Sequence, residues 1–174
     1  AALALWACAA APFRGWQTRV GILVALPLLA VSGAPTIAAL FGAAACVFTA
    51  RSSYTIVRHF APWVALATTL AALLGWGAGT WAWRVGIEAS AAQGLQLLRQ
   101  WLWFVWPVWL LAMWALWRWR RHLAKRHIAL PLALATVSLL ANIAGGGFDR
   151  ALMLGLPGFA VLAAFALPTL QRGT

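Results

Sequence analysis

Only two side chains in these 174 residues carry a carboxylate, Glu88 and Asp149. General acid–base chemistry needs a titratable group, so within this chain it would fall to one of them. The other candidates are cations. Gly145-Gly146-Gly147-Phe148-Asp149-Arg150 reads as a flexible loop running into a helix start. Backbone N–H groups at a helix N-terminus, with a guanidinium beside them, suit a phosphate. Arg150 is therefore the leading candidate for an anion site. Arg84 and Arg99, which flank another segment expected on the same side, are candidates for the same ligand. Simpler roles compete with each: Asp149 can cap the helix, and an arginine can snorkel to lipid headgroups.

The usual signatures of other chemistries do not occur. There is no phosphate-cradling glycine loop followed by Lys, no His/Cys ligand spacing and no Ser-His-Asp set. No metal and no cofactor are expected. Cys8 and Cys46 lie within apolar segments away from His and acid, which predicts small core side chains instead of a disulfide or metal site.

The elements that must position these residues are read from the charge pattern. Uncharged intervals cover 20–50, 59–83, 100–117, 128–148 and 151–171, and the thirteen tryptophans gather near their ends. Apolar stretches of about 20 residues match a bilayer's hydrocarbon core, and Trp at their ends matches the headgroup layer. A composition 64% hydrophobic, with mean hydropathy +0.86, leaves too much apolar surface for a small soluble fold to cover. The expected class is all-α: a polytopic transmembrane helix bundle of about six spans, forming a single membrane domain over 1–174. Ala1 to Ala11 is too short to span and lacks the basic start of a signal peptide. It reads as the tail of a helix begun upstream, so the chain is expected to be the C-terminal part of a longer one.

The 31-residue interval 20–50 is too long for one ordinary span, and Ser32-Gly33-Ala34-Pro35 interrupts it. Two short helices, 20–32 and 35–50, are predicted. Basic residues support the pairing. It gathers Arg14, Arg19, Arg51, Arg58, Arg118, Arg120, Arg121, Lys125, Arg126 and Arg172 on one side. Only Arg84, Arg99 and Arg150, with both acids, remain on the other. Ten against three follows the positive-inside bias, placing the C-terminus and the basic loop 118–127 in the cytoplasm. Segments 32–35, 84–100 and 145–150 then face outward. Within 84–100, Ile87, Ala91, Leu95 and Leu98 recur at helical steps, predicting an amphipathic helix along the outer interface.

Charge and span pattern exclude several functions. Thirteen Lys and Arg against two acids would suggest nucleic acid in a soluble protein. Here the cations occupy the breaks between apolar runs, which fits membrane lipids and excludes nucleic acid. No ionisable side chain falls in the middle of a span, which argues against a proton-coupled pump.

Several segments together resemble bacterial GT-C membrane glycosyltransferases, the relatives of protein mannosyltransferases and of aminoarabinose transferase. Gly21 to Ala50 is similar to the stretch in which a helix ends in a Leu-Thr/Ser-Lys-Gly-Pro turn and another follows. Trp103-Phe104-Val105-Trp106-Pro107 is similar to their Trp…Pro-Trp entry after the outer segment. Arg150-Ala151-Leu152-Met153-Leu154-Gly155-Leu156-Pro157 resembles their Arg-Tyr-Leu-Leu-Pro-x-Leu-Pro final helix. The family's turn Lys falls on Gly33, its turn Gly on Ala34, and the aromatic after its terminal Arg on Ala151. The resemblance implies a polyprenyl-phosphate-linked sugar donor used at the outer face of the bacterial inner membrane. Arg150, Arg84 and Arg99 would hold the donor phosphate, and the catalytic carboxylate would lie upstream of Ala1. By itself the 174-residue chain is expected to be inactive. The competing class is a non-enzymatic polytopic membrane protein, a permease subunit or envelope-complex partner. An inverted repeat would favour the permease, and none is visible.

Overall fold

The computed structural model describes residues 1–79, 81, 91–123, 125–144 and 149–167, and every regular element among them is helical. Ala- and Leu-rich runs favour this outcome, because a helix satisfies its backbone polar groups within the segment. Contacts divide the chain into two compact units, Ala1–Trp83 and Arg84–Thr174.

The first unit holds α1 (Ala2–Ala10), α2 (Gly15–Val31), α3 (Pro35–Ala50), the short α4 (Thr55–Arg58) and α5 (Ala61–Gly77). The break expected near residue 33 is present. Gly33 adopts φ 94°, a conformation that side chains disfavour. This lets the Ala34 N–H reach the Leu29 carbonyl at 3.3 Å while the Gly33 N–H reaches Ala30 at 3.1 Å. Those bonds satisfy the last carbonyls of α2. Pro35 then opens α3, where its missing N–H costs nothing.

Helices α3 and α5 run antiparallel at close range. A Cβ on Gly42 would collide with Thr68, and one on Gly75 would come within 2.9 Å of Pro35 Cβ. At the other end, the Arg19 guanidinium lies 5.4 Å over the Trp63 ring, setting the start of α2 beside the start of α5. Cys46 Sγ lies 3.9 Å from the Ala61 carbonyl oxygen, so α3 finishes there too. Arg14, Arg19, Arg51 and Arg58 therefore share one end of this unit, and the Ser32–Pro35 turn lies at the opposite end. Hydroxyls along the helices bond back to carbonyls four residues earlier: Thr18 to Arg14, Thr49 to Ala45 and Thr68 to Val64, at 2.7–2.8 Å. This satisfies them without an outside partner.

The second unit holds α6 (Ala91–Phe104), α7 (Val108–Arg118), a 3₁₀ turn (Arg120–His122), α8 (Arg126–Ala144) and α9 (Asp149–Ala164). Helices α8 and α9 are antiparallel. Gly155 faces Ser138, Gly158 faces the Pro131 carbonyl, and the His127 and Phe165 rings lie 5.9 Å apart. Helix α7 packs on α9. Val105, Ala112, Ile128, Ala135, Phe159 and Leu162 form a buried apolar cluster.

Two boundaries differ from the sequence expectation. The interval 100–117 is not one helix: α6 stops at Phe104 and α7 restarts at Val108. Pro107 has no N–H to offer the Trp103 carbonyl, and its ring crowds the preceding turn. The amphipathic segment, expected to end near Gln100, instead continues as helix to Phe104, while residues 84–90 of it lie outside the described residues.

Among the described residues, Thr55–Gly77 and His127–Ala144 are long and apolar enough to cross a membrane. The first joins α4 to α5. Gly15–Val31, Pro35–Ala50, Val108–Arg118 and Arg150–Ala164 are shorter apolar helices.

Candidate functional site

Interruption of the chain at Val105–Pro107 leaves α6 and α7 as two pieces of one wall, with α8 and α9 opposite. Between them runs an apolar groove of about 380 Å³. Trp101, Val105, Trp109 and Leu116 line one side; Ala135 and Leu139 of α8, with Phe159 and Leu162 of α9, line the other. Thr136 contributes the hydroxyl in a lining otherwise made almost wholly of carbon and indole. The volume lies within the range of about 300–1,000 Å³ usual for small-molecule sites.

Two indoles of the groove differ in their partners. Trp101 Nε1 donates to Asn142 Oδ1 at 2.8 Å, and Asn142 is fully buried two residues before α8 ends. Trp109 Nε1 is also buried, yet no acceptor meets it.

The Trp101–Asn142 bond places the candidate cations. It sets the α6 stretch around Trp101 at the end of the unit where α8 finishes and, because α8 and α9 are antiparallel, where α9 starts. Arg99 and Arg150 therefore lie at the same end, both exposed. Arg118, Arg120, Arg121 and Lys125, also exposed, occupy the opposite end between α7 and α8. Arg84, Glu88 and Gly145 to Gly147 lie outside the described residues, as does the Asp149 side chain. The structure thus puts two of the three candidate arginines, Arg99 and Arg150, at the same end of this unit. Among the described residues, no three His, Cys, Asp or Glu side chains gather into a metal-binding group.

The groove itself escaped the sequence reading, although its signal is present. Leu98, Leu102, Val105, Trp109, Ala112 and Leu116 recur at alternating steps of four and three, a continuous helical stripe. Asn142, the one asparagine of the chain, is a polar residue within an apolar run.

No protein-family model, curated protein or solved structure matches this chain.

Proposed function

We propose that the chain is the membrane segment of a GT-C-like glycosyltransferase that takes a polyprenyl-phosphate-linked sugar at the outer face of the bacterial inner membrane. The observation that carries this reading is an apolar groove with the exposed Arg99 beside its lining, and the exposed Arg150 at the same end of the unit. The lining of that groove begins at Leu98 and Trp101, on either side of Arg99 in sequence. A lipid phosphate needs both parts: guanidinia for its oxygens and a dry channel for its chain. Exposed aromatic side chains, with Trp76 and Trp103 each more than 70% accessible, support a lipid surrounding. In this reading the chain is multi-pass with a cytoplasmic C-terminus, and Arg84 completes the phosphate site.

Sugar transfer by the full-length protein tests it. Arg150→Ala should reduce use of a polyprenyl-phosphate sugar by about 2 kcal/mol, roughly thirtyfold, the scale of a charge-assisted contact. Thr136→Phe, which fills the groove from an exposed position, should raise the KM for the donor. Arg172→Ala, expected on the opposite side, should do little. Equal small effects from Arg150→Ala and Arg172→Ala would reduce Arg150 to a headgroup anchor.

A further inference from the structure

The first unit carries concentrated positive charge that the sugar-transfer reading does not use. Arg14, Arg19, Arg51 and Arg58 share one of its ends, and all four are exposed. Both acids of the chain lie beyond residue 83, so this unit has no carboxylate of its own to neutralise them. Two of the four are held by neighbours. Arg14 Nη1 donates to Gln17 Oε1 at 3.2 Å, and Arg19 rests over the Trp63 ring. Arg51 follows the last turn of α3, where unpaired carbonyls favour a cation, and Arg58 closes α4. Ser52, Ser53 and Tyr54 between them add hydroxyl groups, and the Ser52 hydroxyl fixes the turn by accepting the Tyr54 N–H at 3.3 Å.

Apolar groups surround these cations. Phe13, Trp16, Tyr54 and Ile56 are each at least 63% accessible at this end. Arg58 also falls in the first turn of Thr55–Gly77, a stretch long enough to cross a membrane. Cations therefore sit where such a span would leave the hydrocarbon, with aromatic rings at the same level.

We infer that this end of the first unit binds the anionic phospholipids of the adjoining leaflet. The guanidinia meet phosphodiester oxygens, and the exposed rings enter the glycerol and upper acyl layer. Inorganic phosphate or nucleic acid would satisfy the charge and leave the rings in water. The inference stands independently of sugar transfer.

Native mass spectrometry of the detergent-purified protein, with phosphatidylglycerol and phosphatidylcholine in competition, reads the preference directly. Arg51→Ala/Arg58→Ala should lower the preference for phosphatidylglycerol roughly thirtyfold, at about 1 kcal/mol for each cation near an anionic surface. Arg51→Lys/Arg58→Lys should keep most of it. In the unaltered protein, a photoactivatable phosphatidylglycerol should crosslink within residues 51–60. An unchanged preference in the alanine variant, displacement of the lipid by inorganic phosphate, or crosslinks confined to other segments would each overturn the inference.

Discussion

Trp101 and Trp109 lie eight residues apart on the same wall of the groove, yet only Trp101 has a partner for its indole N–H, the Asn142 side-chain oxygen at 2.8 Å. A buried donor without an acceptor costs free energy, whereas a paired one contributes modestly. The two tryptophans should therefore respond differently to the same substitution.

Trp101→Phe removes a made bond, the one from the indole N–H to the side-chain oxygen of the fully buried Asn142. Trp109→Phe removes a donor that had no partner. Trp101→Phe should be the more destabilising by about 1–3 kcal/mol, read from thermal unfolding in detergent. Combining Trp101→Phe with Asn142→Leu should cost less than the sum of the two single changes, because both delete the same bond. Equal losses for the two tryptophans would show that the bond contributes nothing.

Glycines give a second contrast. A Cβ on Gly158 would come within 2.7 Å of the Pro131 carbonyl oxygen and 3.2 Å of the Ala135 nitrogen. Both are backbone atoms and cannot swing aside, so Gly158→Ala must push α9 away from α8. A loss of about 1–3 kcal/mol is expected. Gly77 has nothing within 4 Å of its added Cβ and no positive φ. Gly77→Ala should be neutral or slightly stabilising, since alanine restricts the unfolded chain more than glycine does. The two melting temperatures, measured side by side, decide it.

Orientation follows from the separation of charge within each unit. Arg14, Arg19, Arg51 and Arg58 lie at the end of the first unit away from the Ser32–Pro35 turn, and Arg118 to Lys125 lie at the end of the second unit away from Arg99 and Arg150. The positive-inside bias would put both basic ends in the cytoplasm. In a Cys8→Ala/Cys46→Ala background, Tyr54→Cys and His122→Cys should label from the same side of the membrane, and Gln93→Cys from the other. Labelling of 54 and 122 from opposite sides would sink the paired-helix topology.

What the sequence revealed, and what it hid, divides along one physical line. The break between α2 and α3 was legible because Gly33 and Pro35 impose backbone conformations that hardly depend on the surroundings. The start of α5 carries a local signal of the same kind, since Pro62 suits a first turn. The interruption at Pro107 carried the same local signal, but the uncharged run around it pointed to one span. Interhelix contacts were less accessible. That Gly42 meets Thr68, or that Trp101 meets Asn142 41 positions later, depends on which helix faces contact each other, and no local pattern encodes that. Arg150 could be named from its loop, but its placement at the same end as Arg99 needed the antiparallel packing of α8 and α9.

These 174 residues are expected to transfer no sugar by themselves. Activating an acceptor hydroxyl takes a base positioned within hydrogen-bond reach, and Glu88 and Asp149 are the only carboxylates in the chain. By its place in the sequence, Glu88 belongs to a segment expected at the wet outer interface. Asp149 immediately precedes Arg150, a cation that can compete for its lone pairs. Under the proposed glycosyltransferase reading, the base is expected from residues outside these 174. The comparison to make is between residues 1–174 purified in detergent and a longer chain carrying the upstream segment, each given a polyprenyl-phosphate-linked sugar and assayed for transfer. Turnover should appear only with the longer chain and should survive Glu88→Gln and Asp149→Asn there. Turnover by residues 1–174 that either substitution abolishes would make that carboxylate the base and refute the expectation.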